Sequence, residues 1–321
     1  MKNIRFALLF ISLAISLNLL ISNANAQASQ YSDLRRPIFA ADTLDMAKLH
    51  ISYALTYMPD PKDTNNLKKD FKILQIGDKM TKFYSYYVFQ SDSLITADYK
   101  NGRLSAPIRR TPDILGEGYE IYNNYPEKGK RVVIDAITSI TVYKYEEESA
   151  MPQWTITSET TEIMGYQCIK ATGSLGGRDY EAWFTLSIPI SAGPWKLGGL
   201  PGLILRAYDS NRHYVFECSG IERLKQQPII MPGVPAIIPG LKYAANTKKE
   251  YMKDQKRYHN DYINYLLGLG INIVLLDDDG NITEQLNTPN ETFRNMKISR
   301  GMKIYARDRY KKVPYNPIEI E

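Results

Sequence analysis

The chain has 321 residues, with 40 Lys and Arg against 35 Asp and Glu, a formal net charge of +5, and only two cysteines. Its basic pairs, Arg109-Arg110, Lys248-Lys249 and Lys311-Lys312, are scattered. Nucleic-acid binding relies on a concentrated basic face, so no nucleic-acid partner is expected. Two cysteines cannot form a disulfide scaffold, so stability must come from an ordinary hydrophobic core.

The chain opens with the three parts of a secretory signal. Lys2 and Arg5 give a positive start, Phe6 to Ile21 is an apolar run broken only by Ser12, Ser16 and Asn18, and Ala24-Asn25-Ala26 is a small-residue cleavage site. Cleavage is expected between Ala26 and Gln27. The run falls short of the roughly 20 residues that span a bilayer, so residues 1–26 read as a removable signal rather than an anchor. No Cys marks a lipid attachment, and no second long apolar run follows. The expected product is exported to the periplasm or the medium, with no membrane span after cleavage. Cys168 and Cys218 then sit in an oxidising compartment, where one disulfide or two buried free thiols are both compatible with the sequence.

The remaining composition is β-rich: 24 Tyr, many Ile, Thr and Val, and frequent Gly and Pro punctuation. Alternation predicts a strand over Asp45–Tyr57, ended by Met58-Pro59-Asp60-Pro61. A hairpin follows, Asp70–Ile76 and Met80–Phe89, turning at Gly77-Asp78. Residues 101–124 read as irregular, with one short strand at Tyr119–Tyr122. Successive strands are predicted over Lys130–Asp135, Thr138–Glu146, Trp154–Ile163, Tyr166–Thr172, Tyr180–Thr185, Leu203–Asp209 and Tyr214–Ile221. Pro228, Pro232, Pro235 and Pro239 then exclude a helix or a central strand. That segment is expected to lie extended over the sheet. Thr247–Leu267 is the one convincing helix, with Thr247 and Glu250 as a capping box and a tyrosine stripe along one face. Strand, turn and strand are read over Ile271–Thr283, and Lys311–Glu321 reads as a loosely ordered polar tail. The expected architecture is one domain over 27–310, mainly β: a curved antiparallel sheet or half-barrel with a single helix packed on it in the C-terminal half.

The most informative stretch runs from Gly193 to Leu205 and contains Gly199-Leu200-Pro201-Gly202-Leu203-Ile204. Gly193, Pro194, Gly199, Pro201 and Gly202 prescribe backbone torsions, while Leu200, Leu203 and Ile204 supply apolar surface. This describes a tight crossover entering a core strand. A phosphate-cradling loop would need a Gly-Lys-Ser/Thr ending, which is absent. The string resembles the signature of the GLPGLI family, exported proteins of Bacteroidota. Trp154, Gly165-Tyr166-Gln167-Cys168, Gly177-Arg178, Ala182-Trp183-Phe184-Thr185, Asp209 and the closing Tyr315-Asn316-Pro317-Ile318-Glu319 extend the resemblance. It implies an envelope setting and leaves the activity open, because that family has no established biochemistry.

Candidate chemistry is sparse. His50, His213 and His259 are far apart and lack metal-ligand spacing, so no metal or other cofactor is expected. His213 and His259 read as solvated. There is no nucleophile elbow, and Cys218 lies an odd five positions from His213, on the opposite strand face. No catalytic residue is assigned. Asp277-Asp278-Asp279-Gly280 reads as a turn, since Ile282 and Thr288 stand where a calcium loop needs Gly and Glu. Trp183, Trp195 and Arg178 are the candidate ligand edge, against the simpler reading that Arg178 pairs with Glu181 or Glu162 and the tryptophans fill the core. Thr43 and Ser93 lie in Asp-Ser/Thr-apolar strings that fit O-glycosylation acceptors. The function read from the sequence is a non-enzymatic envelope binding or accessory protein taking an apolar or lipid-like ligand. The alternatives are a protein–protein module of an outer-membrane transport or surface system, and a hydrolase built around Arg178, Asp209 or His213.

Overall fold

The computed structural model describes residues 41–91, 93, 117–138, 141–232, 247–269, 272–276, 282–286, 303–306 and 315–320. The signal-like segment, the 277–280 turn and residues 233–246 lie outside the described residues. Strands β1 (Ala41–Tyr57), β2 (Lys68–Ile76), β3 (Thr81–Ser85), β4 (Glu120–Asn123), β5 (Lys130–Thr138) and β6 (Thr141–Glu148) form one half of a sheet. Strands β7 (Thr155–Ile163), β8 (Tyr166–Leu175), β9 (Arg178–Thr185), β10 (Leu203–Asp209) and β11 (Tyr214–Pro232) form the other. The order is β6-β5-β4-β3-β2-β1-β11-β10-β9-β8-β7, an open antiparallel sheet of 11 strands. Each half is a meander of sequence neighbours, and only the β1–β11 pairing joins distant parts of the chain.

The predicted strands are found, with two informative differences. The strand expected over Met80–Phe89 stops at Ser85, and residues 86–91 turn helical. Ser85 Oγ is committed there, donating to Asp70 at 2.8 Å and approached by the Val88 amide at 3.4 Å. The proline-bearing segment up to Pro232 extends β11 instead of lying separately, pairing Met46 with Pro228 and Ala41 with Pro232. Proline is tolerated because, among the described residues, β10 pairs with β11 only as far as Glu217, so the flank of β11 beyond is open. Register slips between Leu49–Arg223 and Ala47–Gln227, where Gln226 is left-handed, bend this ribbon.

Strand alternation divides the side chains between two cores. On one face, Ile51, Tyr53, Leu55, Leu74, Phe83, Ile121, Val133, Tyr145, Ala182, Phe184, Ala207 and Phe216 bury together. On the other, Ile229 and Met231 of the bent ribbon pack on Met80, Tyr122, Val132 and Ile134. The first face is concave: Tyr214 of β11 and Asp135 of β5 line one cavity, although five strand spacings of about 4.8 Å would hold them ~24 Å apart in a flat sheet.

The loop 186–202 fills the β8–β10 end of this concave face. Trp195, Leu197 and Leu200 are buried in it. Gly199 has φ +86, and a Cβ on Gly202 would lie 2.1 Å from the Thr185 carbonyl oxygen. The Trp154 indole donates to Gly198 O at 2.6 Å, and the Tyr53 hydroxyl donates to Ile204 O at 2.7 Å. The family-like string is thus a packed plug between β9 and β10.

The helix expected over Thr247–Leu267 is two helices, α1 (Lys248–Asn260) and α2 (Tyr262–Gly268). Asp261 adopts φ −152 and its carboxylate accepts from the Asn264 amide, ending one helix and capping the next. The Thr247 cap of α1 is as read, with its hydroxyl 3.3 Å from the Glu250 amide. Tyr251 of α1 packs edge-on to Tyr143 and stacks on Tyr145, at ring separations of 5.3 and 5.5 Å. A small sheet, β13 (Ile282–Leu286), β12 (Asn272–Leu276) and β14 (Lys303–Ala306), is contacted by α2 through Ile273.

Candidate functional site

The concave face retains a cavity of about 250 Å³ between β2, β4–β6, α1, Trp195 and residues 315–319. Its position follows from the inward register. Asp70 and Lys72 of β2, Arg131 and Asp135 of β5 and Glu147 of β6 occupy the same strand face as the apolar core residues. The interior therefore carries charge, and its tyrosines bring hydroxyls.

At the cavity floor the Lys72 ammonium is fully buried. It pairs with Asp70 at 2.9 Å, lies 4.1 Å from the Tyr119 ring centre and donates to Glu117 O. Asp135 accepts from the Tyr251 hydroxyl at 2.6 Å and from the Ala136 amide at 2.7 Å. The Glu117 side chain has no hydrogen-bond or ionic partner among the described residues. Burial pushes its carboxyl up to about 7, helped by the charges of Asp135 and Asp70 and opposed by Lys72. Burial also raises Asp135, against the stabilising bonds from Tyr251 and Ala136. The Tyr119 hydroxyl is buried, lines the cavity and has no partner among the described residues.

The opposite wall is satisfied. Glu147 meets Lys196 at 2.5 Å, Lys248 at 3.2 Å and Arg131 at 3.3 Å. Burial alone would raise the Glu147 carboxyl, but these cations hold it below its usual range. Glu319 takes Lys196 at 2.6 Å and also pairs with Lys248.

Beyond this wall Arg178, 5% exposed, spends its donors on residues 316–318. It pairs with Asp209 at 2.9 Å, and donates to Asn316 Oδ1 at 2.8 Å, Pro317 O at 2.6 Å and Ile318 O at 3.1 Å. Tyr214 donates to Asn316 O, and Asn316 Nδ2 donates to Met58 O, each at 2.6 Å. Residues 315–320 are thus a docked strap, where the sequence suggested a loose tail. A short polar stretch gives no sign that its carbonyls have a buried guanidinium waiting for them.

The three candidate ligand-edge residues are not brought together. Trp195 is 2% exposed, lines the cavity and packs 5.9 Å from Tyr180. Trp183 alternates with Tyr180, Ala182 and Phe184 and so faces the other side of β9, beside Lys170. Arg178 serves the strap. Arg178, Asp209 and His213 do converge, with His213 Nδ1 3.3 Å from the guanidinium, but the peptide strap occupies the space a substrate would need.

His213 is half-buried rather than solvated, as is His259, which stacks 4.6 Å from Tyr315 and lines the cavity. His50 meets Gln75 at 3.0 Å, and burial lowers its pKa to about 4. Cys168 and Cys218 are buried free thiols, and burial pushes Cys218 up to about 11. Ser93 is 2% exposed and donates to Phe89 O, so the folded chain withholds that acceptor hydroxyl, whereas Thr43 is exposed. Glu117, Tyr119 and Asp135 were missed as site residues. The signal for Asp135 was charge at inward strand positions, visible in Arg131-Val133-Asp135, whereas Glu117 and Tyr119 lie just before β4 and carried none.

Among the described residues no helix is long and apolar enough to cross a membrane. The family profile described as "N-glycanase peptide, N-terminal domain" matches residues 131–237, a third of the chain spanning β5 to β11. No curated protein matches the sequence. Fourteen solved chains match. One is PNGF-II in a P21 crystal form, 18% identical with a TM-score of 0.42, covering 66% of this chain and 34% of that one. Another is PNGF-II in a C2 form, 16% identical with a TM-score of 0.42, covering 66% and 33%. The chain spans about a third of the length of these structures.

Proposed function

We propose that the chain is an exported, non-enzymatic binding protein of the cell envelope, of the GLPGLI type that its Gly199–Ile204 string resembles. The observation that carries this reading is the cavity: a walled space whose lining includes the buried Tyr119 hydroxyl, without a partner among the described residues, and the half-buried Glu117 carboxyl. A buried hydroxyl is normally satisfied, so the Tyr119 hydroxyl beside the half-buried Glu117 carboxyl marks a place where something else binds. The lining argues for a polar occupant over the lipid expected from the sequence, since a hydrocarbon chain would leave Glu117 and Tyr119 desolvated with nothing in return.

A hydrolase is less well supported, because the Arg178–Asp209–His213 group is filled by the strap. The match to an N-glycanase N-terminal domain places no catalytic residue here. A protein–protein module is less well supported too. Among the described residues the exposed large apolar side chains include Leu67, Ile156, Met164, Leu186, Ile282 and Ile320, and Ile156 of β7 and Ile282 of β13 belong to different sheets.

Native mass spectrometry of the protein isolated from its own envelope tests the binding reading. A bound small molecule released on unfolding is the expected outcome. The reading is lost if the protein is empty and titrated small molecules of every charge class leave Trp195 fluorescence unchanged.

A further inference from the structure

We infer that the cavity's occupant is a neutral, hydroxyl-bearing ring of the size of one sugar unit, held by the Glu117 carboxyl and the Tyr119 hydroxyl against tyrosine faces. The inference rests on the binding reading above and specifies its ligand.

The lining excludes charged and apolar occupants in turn. Three lysines, Lys68, Lys69 and Lys196, and three carboxylates, Glu117, Asp135 and Glu319, face the space. An anion would be repelled by the acids and a cation by the lysines. Neither sign prevails, so a neutral ligand fits best. An apolar ligand fails because burying an unbonded hydroxyl and carboxyl is costly. What remains is a neutral molecule that hydrogen-bonds.

The two unpartnered groups refine the class. A tyrosine hydroxyl both donates and accepts. The Glu117 carboxyl, pushed up to about 7, is available at neutral pH both as an acceptor and, once protonated, as a donor. A ligand hydroxyl has the same double character, so either group can pair with it in either proton arrangement. A ligand offering only acceptors or only donors would use half of this capacity.

The walls and the volume complete the picture. Tyr57, Tyr145, Tyr214 and Tyr251 line the space, and aromatic faces accommodate flat C–H surfaces. A cavity of about 250 Å³ is below the ~300–1,000 Å³ of drug-sized sites, so it holds one ring and not a chain. The Asn316–Glu319 strap lies over one side, so the ring must be a free small molecule or the end of a longer one.

The test uses the full mature protein, titrated with galactose, mannose and N-acetylglucosamine and read by calorimetry and tryptophan fluorescence. Butylammonium, glutarate and octanol serve as cationic, anionic and apolar probes. Saturable binding of at least one sugar is expected. Tyr119→Phe, which keeps the ring, and Glu117→Ala should each weaken it at least tenfold, with Glu117→Gln intermediate. The inference is overturned if no sugar saturates, or if one does and both Tyr119→Phe and Glu117→Ala bind it as well as the parent. Binding of butylammonium, glutarate or octanol alone overturns the sugar assignment and leaves the binding reading standing. Silence from every probe, with no ligand carried from the envelope, defeats both.

Discussion

Two ends of one concave face treat buried charge in opposite ways. At the Arg178 end every charge has a counterpart: the guanidinium faces Asp209, Asn316 and two strap carbonyls. At the Glu117 end a half-buried carboxyl and a buried phenol stand in a walled space, and the phenol has no partner among the described residues. Burial costs both ends, and at the first the charges recover that cost from their own chain. The completed end reads as structure and the incomplete end as a place for a ligand. The sequence suggested the reverse, placing the ligand edge at Arg178.

The largest effect is expected at the Arg178 end. Arg178→Met removes the cation from a buried pair, strands Asp209 and releases the strap. Denaturant unfolding should show a loss of about 3–5 kcal/mol, the usual cost of orphaning a buried charge. A loss below about 1 kcal/mol would mean that water reaches Asp209 and that this end is no more closed than the other.

The incomplete end is sharpened by pH. The folded carboxyl of Glu117 titrates at about 7 against an ordinary 4.5, so the native state holds that proton more tightly. Its contribution is complete below about pH 4.5 and is lost as the pH rises through 7. The stability of Glu117→Gln relative to the parent should therefore rise over this interval, by up to about 3 kcal/mol. His50 acts oppositely: its folded pKa of about 4 favours the folded state at high pH and fails as pH falls below 6.5. Both proteins contain His50, so the difference curve isolates Glu117. A flat difference would place Glu117 in solvent.

A smaller effect is expected at the cavity roof. Thr247→Ala deletes the cap of α1, whose Tyr251 closes over Asp135. It should cost about 1 kcal/mol of stability in thermal unfolding. The smallest effect is expected at Tyr119. Its hydroxyl makes no bond, so Tyr119→Phe should stay within about 0.5 kcal/mol of the parent in denaturant unfolding. The contrast between Arg178→Met and Tyr119→Phe, two buried polar groups on one face, measures the difference between the ends directly.

Much of the fold was legible because alternation and punctuation are local. The β10 range Leu203–Asp209 is found as read, and most other strands agree to within a few residues. The break at Asp261 was not legible, since the tyrosine spacing continues through it and only the backbone shows the aspartate turning from helix residue to cap. Nor could the open flank of β11 be foreseen, because whether a proline sits in a central or a one-sided strand depends on where a distant partner stops. The site was the least legible part. Glu117 and Asp135 lie 18 positions apart on segments read as irregular or as plain strand, and they share a cavity only because the sheet curls. Arg178 was noticed, but its role depends on Asn316 and Pro317, more than 130 residues later.

The β1–β11 joint has a consequence for how the chain reaches its working state. The meanders β2–β6 and β7–β10 are each built from neighbouring strands, whereas Tyr57 must find Tyr214 and Ala41 must find Pro232. Local meanders form early, and loop closure over such separations is slow. Until that joint closes, Tyr214 and Asp135 belong to separate half-sheets and no cavity exists. A chain emerging from its N-terminal end must hold its two halves apart without aggregating until residues beyond 214 are free to pair. A ligand that bridges both walls then stabilises the joined form by mass action.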